Sequence, residues 1–243
     1  MNDTVEILGV RVDRLTMREA TQQMLAFFDD GKSHVVFTPN SEIIDRAYHD
    51  KAFLSILNSS DLNTADGIGV VYASRILKRP LVERVAGYDL ILETIKACAP
   101  MGKKLFLFGA KPGVAEEAAR ILESRYPGIQ VCGCRNGYFS DNETASIVEE
   151  INAAGPDMLL VCLGAPKQEN WIFQNRDKLR VSIMIGAGGT LDTLTGRTER
   201  APESWQRLGL EWAYRLKKEP MRFFRMLSLP KFALTVLFRG KRY

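Results

Sequence analysis

The sequence predicts an α/β protein, a Rossmann-like parallel sheet flanked by helices with a basic helical C-terminal appendage. Three observations carry this expectation. Short runs such as Lys104-Leu-Phe-Leu-Phe-Gly109 and Asp157-Met-Leu-Leu-Val-Cys-Leu-Gly164 are apolar without alternation, the pattern of strands covered on both faces. They alternate with amphipathic helical stretches, the order that builds a parallel sheet. The charge is also divided: residues 195–243 hold 12 Lys and Arg against 4 Glu, a net of +8, so the preceding 194 residues carry −4 of the chain's +4. An acidic body with a basic tail points to an anionic partner for the tail: phosphate, nucleic acid or a lipid surface.

Each element follows from local signals. Thr16-Met-Arg-Glu19 is a capping box and opens a helix to about Asp29, with Leu25 and Phe28 on its apolar side. Ser33–Thr38 is a short apolar strand ending at Pro39-Asn40, followed by helical stretches over 41–59 and 67–78. Lys103–Gly109 is a buried strand leading into a helix that Pro112 can open, over 113–126. Ile129–Cys134 is a strand, and Ser140-Asp-Asn-Glu143 is a second capping box for a helix reaching about Ala154. Strands at 157–164 and 181–186 are each followed by helical sequence. These elements define a domain of residues 1–195. The appendage, 196–243, is helical from Pro202 to Glu219, with Trp205, Leu208, Trp212 and Leu216 on one stripe, and Pro220 interrupts it.

Composition narrows the function classes. At 243 residues, with 46% hydrophobic and 26% charged residues, the chain is an ordinary globular protein rather than a fibrous or disordered one. No run approaches the roughly 20 apolar residues that cross a bilayer, and the polar opening Met1-Asn2-Asp3-Thr4 lacks a secretory signal. The expected place is therefore the cytoplasm. Cys98, Cys132, Cys134 and Cys162 lack the spacing of a zinc site, and reduced thiols are expected. With only His34 and His49, a multi-histidine metal centre is not expected.

In an open parallel sheet ligands bind beyond the carboxyl ends of the strands. Five polar or glycine turns fall there: Thr38-Pro39-Asn40, Asp66-Gly67, Gly109-Ala-Lys-Pro-Gly113, Gly164-Ala-Pro-Lys-Gln168-Glu169 and Gly186-Ala-Gly188-Gly189-Thr-Leu-Asp192. Such a rim suits a nucleotide or nucleotide sugar, because glycine lets backbone N–H groups approach phosphate. Each turn also has a plainer reading. Asp66 can be the N-cap of the Gly67 helix, the Gly186–Gly189 turn a structural connection, His34 a core filler, and Cys132-Gly-Cys134 strand packing. The glycine turns complete neither a dinucleotide fingerprint nor a P-loop, which disfavours a nicotinamide-dependent oxidoreductase and an ATPase. No Asp-x-Asp pair exists in the chain. The carboxylate clamp for a nucleotide-bound metal is thus absent, and a diphosphate leaving group needs Arg, Lys or backbone donors.

Taken in order, these motifs resemble those of the WecG/TagA/CpsF family of bacterial glycosyltransferases. The resemblance also takes in Arg84-Val-Ala-Gly-Tyr-Asp89, Arg200-Ala-Pro202, Gly209-Leu-Glu-Trp-Ala-Tyr-Arg215 and Glu219-Pro-Met-Arg222, and so covers nearly the whole chain. It implies an inverting, metal-independent enzyme without a cofactor. Such an enzyme takes a sugar from a UDP-sugar donor to an undecaprenyl-diphosphate-linked acceptor, working peripherally on the inner face of the cytoplasmic membrane. It implies N-acetylmannosamine transfer to lipid-linked GlcNAc, as in the teichoic acid linkage unit; N-acetylmannosaminuronic acid or glucose in capsule and exopolysaccharide synthesis are the alternatives. Nucleic acid is not an expected partner, and a homo-oligomer is left open. By the same resemblance Asp66 is the general base, and Thr38, Asn40 and Arg84 complete the catalytic set. Gln168, Gly186, Gly188, Asp192 and Tyr138 bind substrate, with Tyr138 and Asp192 facing the nucleoside. Arg215, Arg222 and Arg225 close over the diphosphate. Trp205, Trp212, Phe223, Phe224, Phe232 and Phe238 lie among basic residues in the tail, the mixture of a membrane-interface segment. A non-catalytic membrane or nucleic-acid module is the competing reading of that tail.

Overall fold

Continuously apolar strands should sit at the centre of the molecule with helices on both sides, and they do. The computed structural model describes residues 3–202, 204–205, 210–218 and 228–239. A hairpin of β1 (Thr4–Ile7) and β2 (Val10–Asp13) precedes the main sheet. That sheet has six strands: β3 (His34–Phe37), β4 (Leu62–Asn63), β5 (Lys104–Gly109), β6 (Gln130–Arg135), β7 (Met158–Cys162) and β8 (Ile183–Gly186). They are ordered β4-β3-β8-β7-β5-β6, and every pairing is parallel.

The register explains the absence of alternation in the sequence. Phe106, Leu159, Met184 and Val35 form one cross-strand row and Leu107, Leu160, Ile185 and Val36 the next. Successive rows enter opposite cores, so each residue of these rows is buried and none is polar. One core is covered by α2 (Ser41–His49), α3 (Lys51–Asn58), α7 (Thr144–Ala154) and α8 (Lys167–Asn175). The other is covered by α1 (Met17–Ala26), α5 (Gly87–Cys98), α6 (Val114–Arg125) and α9 (Thr190–Leu194). Because α6 leaves β5 for one face and α8 leaves β7 for the other, the strand order reverses between β5 and β7. That reversal opens a crevice at their carboxyl ends.

Several boundaries differ from the sequence reading, each for a local reason. The capping box at Thr16 is present, but α1 ends at Ala26. The stretch over 41–59 is two helices, because Asp50 is extended and its carboxylate caps α3 by accepting from Ala52 and Phe53. The hairpin, the two-residue β4 and α5 are further elements; α5 buries seven residues and leaves Glu93, Lys96 and Ala97 exposed on one side. The Ser140 box is present and caps the 3₁₀ turn Asp141–Glu143 that leads into α7. Leu210 is not helical and the helix beyond it spans Glu211–Lys218, so 202–219 is not one continuous helix. Leu208 lies outside the described residues.

A further tail helix is described at Ser228–Arg239. Phe232 and Val236 on its inner side join the core beside α2 and α4 (Ile68–Ile76), so Phe232 is packed inside rather than offered to a membrane. Leu234, Leu237 and Phe238 remain exposed, Phe238 at 73%. No helix among the described residues is long and apolar enough to cross a membrane.

One glycine at the rim is set by close approach. Gly109 has φ +135°, and a Cβ there would lie 2.2 Å from the Cys162 carbonyl oxygen of the neighbouring strand. Gly109→Ala should therefore cost about 3–5 kcal/mol of stability, at the extreme of single substitutions. Urea denaturation of the purified variant measures it.

Candidate active site

All six strands being parallel, every turn that the sequence places at a strand's carboxyl end lies on one rim. β3 delivers Thr38-Pro39-Asn40 and β4 delivers Asp66-Gly67, side by side. The Asp66 N–H donates to the Pro39 carbonyl at 3.3 Å, and the Val85 N–H donates to Ala65 O at 3.1 Å. These bonds bring the segment carrying Arg84 to the one carrying Asp66. Thr38 packs so closely on the start of α5 that a Cβ at Gly87 would lie 2.6 Å from its Oγ1, which accounts for glycine within Arg84-Val-Ala-Gly-Tyr-Asp89. Thr38, Asn40, Asp66 and Arg84, drawn from three separate segments, thus share one corner of the rim.

The structure also decides among the plainer readings. The cap position of α4 is occupied by Gly67 at φ +101°, not by Asp66. Asn40 does have a cap role: its Oδ1 accepts from the Ile43 N–H at 3.0 Å at the start of α2. His34 is buried at the opposite end of β3, stacked on Phe27 with ring centroids 3.9 Å apart and bonded to Asp30 at 2.9 Å. Cys132 is strand packing, its thiol donating to Leu105 O. Burial pushes the Cys98 and Cys134 thiols up to about 11 and Cys162 up to about 12, which keeps them protonated and poor nucleophiles.

Arg84 is held by carboxylates. Its guanidinium donates to Glu211 at 2.8 Å and lies 3.7 Å from Asp89, which in turn accepts two bonds from Arg200 at 2.6 and 2.5 Å. Arg200 and Glu211 belong to the segment after residue 195, so this four-residue network ties the appendage to the Asp66 corner. In the sequence Glu211 shows only as part of the motif Gly209-Leu-Glu-Trp-Ala-Tyr-Arg215. The helix Ser228–Arg239 approaches the same corner from another side. A Cβ at Gly69 would lie 3.3 Å from Leu229 and 3.4 Å from Ser41.

On the other side of the rim the loop after β6 is pinned over the β5/β7 crevice. The Gly137 N–H donates to Ala110 O at 2.9 Å, and Lys167 donates to Gly137 O at 3.4 Å while its ammonium sits 4.2 Å from the Phe139 ring. This loop presents Tyr138 at 68% exposure. Gln168, on the first turn of α8, reaches across to the turn after β8 and accepts from the Gly188 N–H at 3.0 Å. Gly186 ends β8, Gly188 lies on that turn and Asp192 on α9. Arg215 lies on the helix Glu211–Lys218; Arg222 and Arg225 lie outside the described residues, as do Phe223 and Phe224. Among the described residues no three His, Cys, Asp or Glu side chains converge on a point that could hold a metal ion.

The rim therefore offers a carboxylate beside hydroxyl, amide and guanidinium groups at one end, with a glycine turn and an exposed tyrosine towards the other. A carboxylate so placed can take a proton from a hydroxyl, and the glycine turn can admit a phosphate-bearing ligand. Comparison with known proteins agrees in kind. The model of the glycosyl transferase WecG/TagA/CpsF family matches residues 5–243. The chain is 40% identical over 211 residues, 87% of its length and 82% of the relative's, to the N-acetylglucosaminyldiphosphoundecaprenol N-acetyl-beta-D-mannosaminyltransferase of Bacillus subtilis strain 168. It is 36% identical over 230 residues, 94% of its length and 90% of the relative's, to the protein of the same name from Staphylococcus aureus strain MW2.

Proposed function

Because the chain belongs to the glycosyl transferase WecG/TagA/CpsF family, we propose that it transfers N-acetylmannosamine from a UDP-sugar donor to a GlcNAc carried on undecaprenyl diphosphate. The names of its relatives supply acceptor and sugar. The observation that carries the reading is the shared corner of Thr38, Asn40, Asp66 and Arg84.

In this reaction Asp66 accepts the proton of the acceptor hydroxyl while that oxygen attacks the anomeric carbon. The bond from that carbon to the diphosphate oxygen breaks, UDP leaves with the electron pair, and the configuration inverts. Thr38 and Asn40 line the sugar pocket and Arg84 donates to the substrate, with Glu211 and Asp89 holding its guanidinium. Gln168, Gly186 and Gly188 contact the donor, and Tyr138 and Asp192 face its nucleoside. The departing diphosphate needs positive charge. With no Asp-x-Asp pair in the chain, Arg215, Arg222 and Arg225 supply it.

Residues 1–195 form the catalytic domain in this reading and 196–243 the appendage that closes the site. The appendage also rests on the inner membrane surface, where the acceptor resides. Its charge of +8 and the exposed Leu234, Leu237 and Phe238 support that placement, since each basic residue near anionic lipid contributes about 1 kcal/mol.

A panel of UDP-sugars incubated with GlcNAc-diphosphate lipid tests the proposal. UDP-N-acetylmannosamine should be turned over fastest, and excess EDTA should leave the rate within twofold, about 0.4 kcal/mol of barrier. Preference for another UDP-sugar would move the chain to a different branch of its family, and a strict need for Mn²⁺ or Mg²⁺ would refute the arginine-based account.

A further inference from the structure

α8 opens with two buried polar residues in succession: Gln168 is 4% exposed and Glu169 2%. A glutamate is rarely buried so completely without a charged partner in contact. Main-chain hydrogen bonding sets the orientation of the pair. The Gly188 N–H, a donor only, meets Gln168 at 3.0 Å, so the amide must turn its Oε1 that way. Nε2 is then directed at Glu169, and it donates to Glu169 Oε1 at 2.9 Å. The amide lies against the start of the same turn, since a Cβ at Gly186 would be 3.0 Å from Gln168 Nε2. A relay thus runs from Glu169 through Gln168 to Gly188, joining the first turn of α8 to the turn after β8.

The other carboxyl oxygen, Glu169 Oε2, is buried and has no hydrogen-bond partner among the described residues. Burial pushes this carboxyl above the usual range, against the pull of the Gln168 amide, its own backbone N–H and Arg46. Such a group is poorly placed to exchange a proton with a substrate, because Gln168 and the protein interior enclose it. It is well placed to hold Gln168, because an amide whose two ends are both engaged cannot rotate.

We propose that Glu169 is a positioning residue of the donor site: through Gln168 it presets the Gly186-Ala187-Gly188-Gly189 turn against which the nucleotide sugar binds. The proposal rests on the reading above that Gln168 and this turn touch the donor. A turn held in its bound geometry before the ligand arrives spares the ordering cost on binding. Loss of the relay should therefore appear in donor affinity rather than in the chemical step.

The test compares Glu169→Ala and Glu169→Gln with Gln168→Ala in the full-length chain. Glu169→Gln keeps an oxygen to accept from Gln168 and removes the charge. Glu169→Ala should raise KM for the UDP-sugar about tenfold with kcat within threefold. It should also speed hydrogen exchange of the Gly188 amide by about tenfold, as expected when a local hydrogen bond is released. Glu169→Gln should restore both to within twofold of the parent. Unchanged Gly188 exchange in Glu169→Ala would overturn the relay itself. Faster exchange with unchanged KM, together with a silent Gln168→Ala, would overturn the donor-site reading on which it rests. Equal losses of kcat in both Glu169 variants would overturn the proposal by showing that the charge, not the hydrogen bond, is used.

Discussion

Replacing Asp66 with Asn is expected to slow sugar transfer by about 10²–10⁴-fold while folding and UDP binding survive, the range that a general base contributes. The substitution keeps the shape of the side chain while removing its charge and its ability to take a proton. The backbone bonds that place residue 66, from its N–H to Pro39 O and from the Val85 N–H to Ala65 O, do not involve the carboxylate. The cap position of α4 belongs to Gly67, so the helix does not lose its cap. Turnover measured beside UDP affinity and thermal stability separates the two roles. A near-parental rate in Asp66→Asn would assign the proton to another group.

The second large effect is expected from removing the helix Ser228–Arg239. Ending the chain at residue 227 should lower transfer at least 10²-fold and cost the remaining domain about 3–5 kcal/mol, the scale of losing one large buried aromatic. Two contacts set this expectation. Phe232 is 2% exposed within the core shared with α2 and α4, so its loss leaves an apolar void. Leu229 packs at Gly69, three residues from Asp66, so the void opens beside the proposed base. Phe232→Ala isolates the packing component: urea denaturation should show most of the stability loss, with a smaller drop in transfer. A chain ending at 227 that transfers sugar at the parental rate would contradict a role for this helix in completing the site.

The central sheet was legible because burial on both faces leaves a sequence no choice but continuous apolar residues, as in Phe106–Phe108 and Leu159–Val161. The rim turns were legible because parallel strands put every carboxyl end on one edge. Elements without such a signature were not. β4 pairs through only Leu62 and Asn63, too short for any period. The inward turn of Phe232 could not be told from an interfacial aromatic, since both are apolar residues among basic ones, and only the groove between α2 and α4 decides. The ion pair between Arg84 and Glu211 spans 127 residues of sequence and has no local trace. The relay from Glu169 was hidden for a different reason. Gln168-Glu169 reads as an ordinary polar first turn of a helix until its burial is known.

The configuration of the product is the most direct test of the central claim. Incubation of the full-length protein with α-linked UDP-N-acetylmannosamine and a GlcNAc-diphosphate lipid, followed by NMR of the isolated lipid disaccharide, reads the anomeric centre. A single displacement with Asp66 as base predicts a β-linked disaccharide, one UDP released for each bond formed. An α-linked product, or UDP release without a disaccharide, would contradict the account.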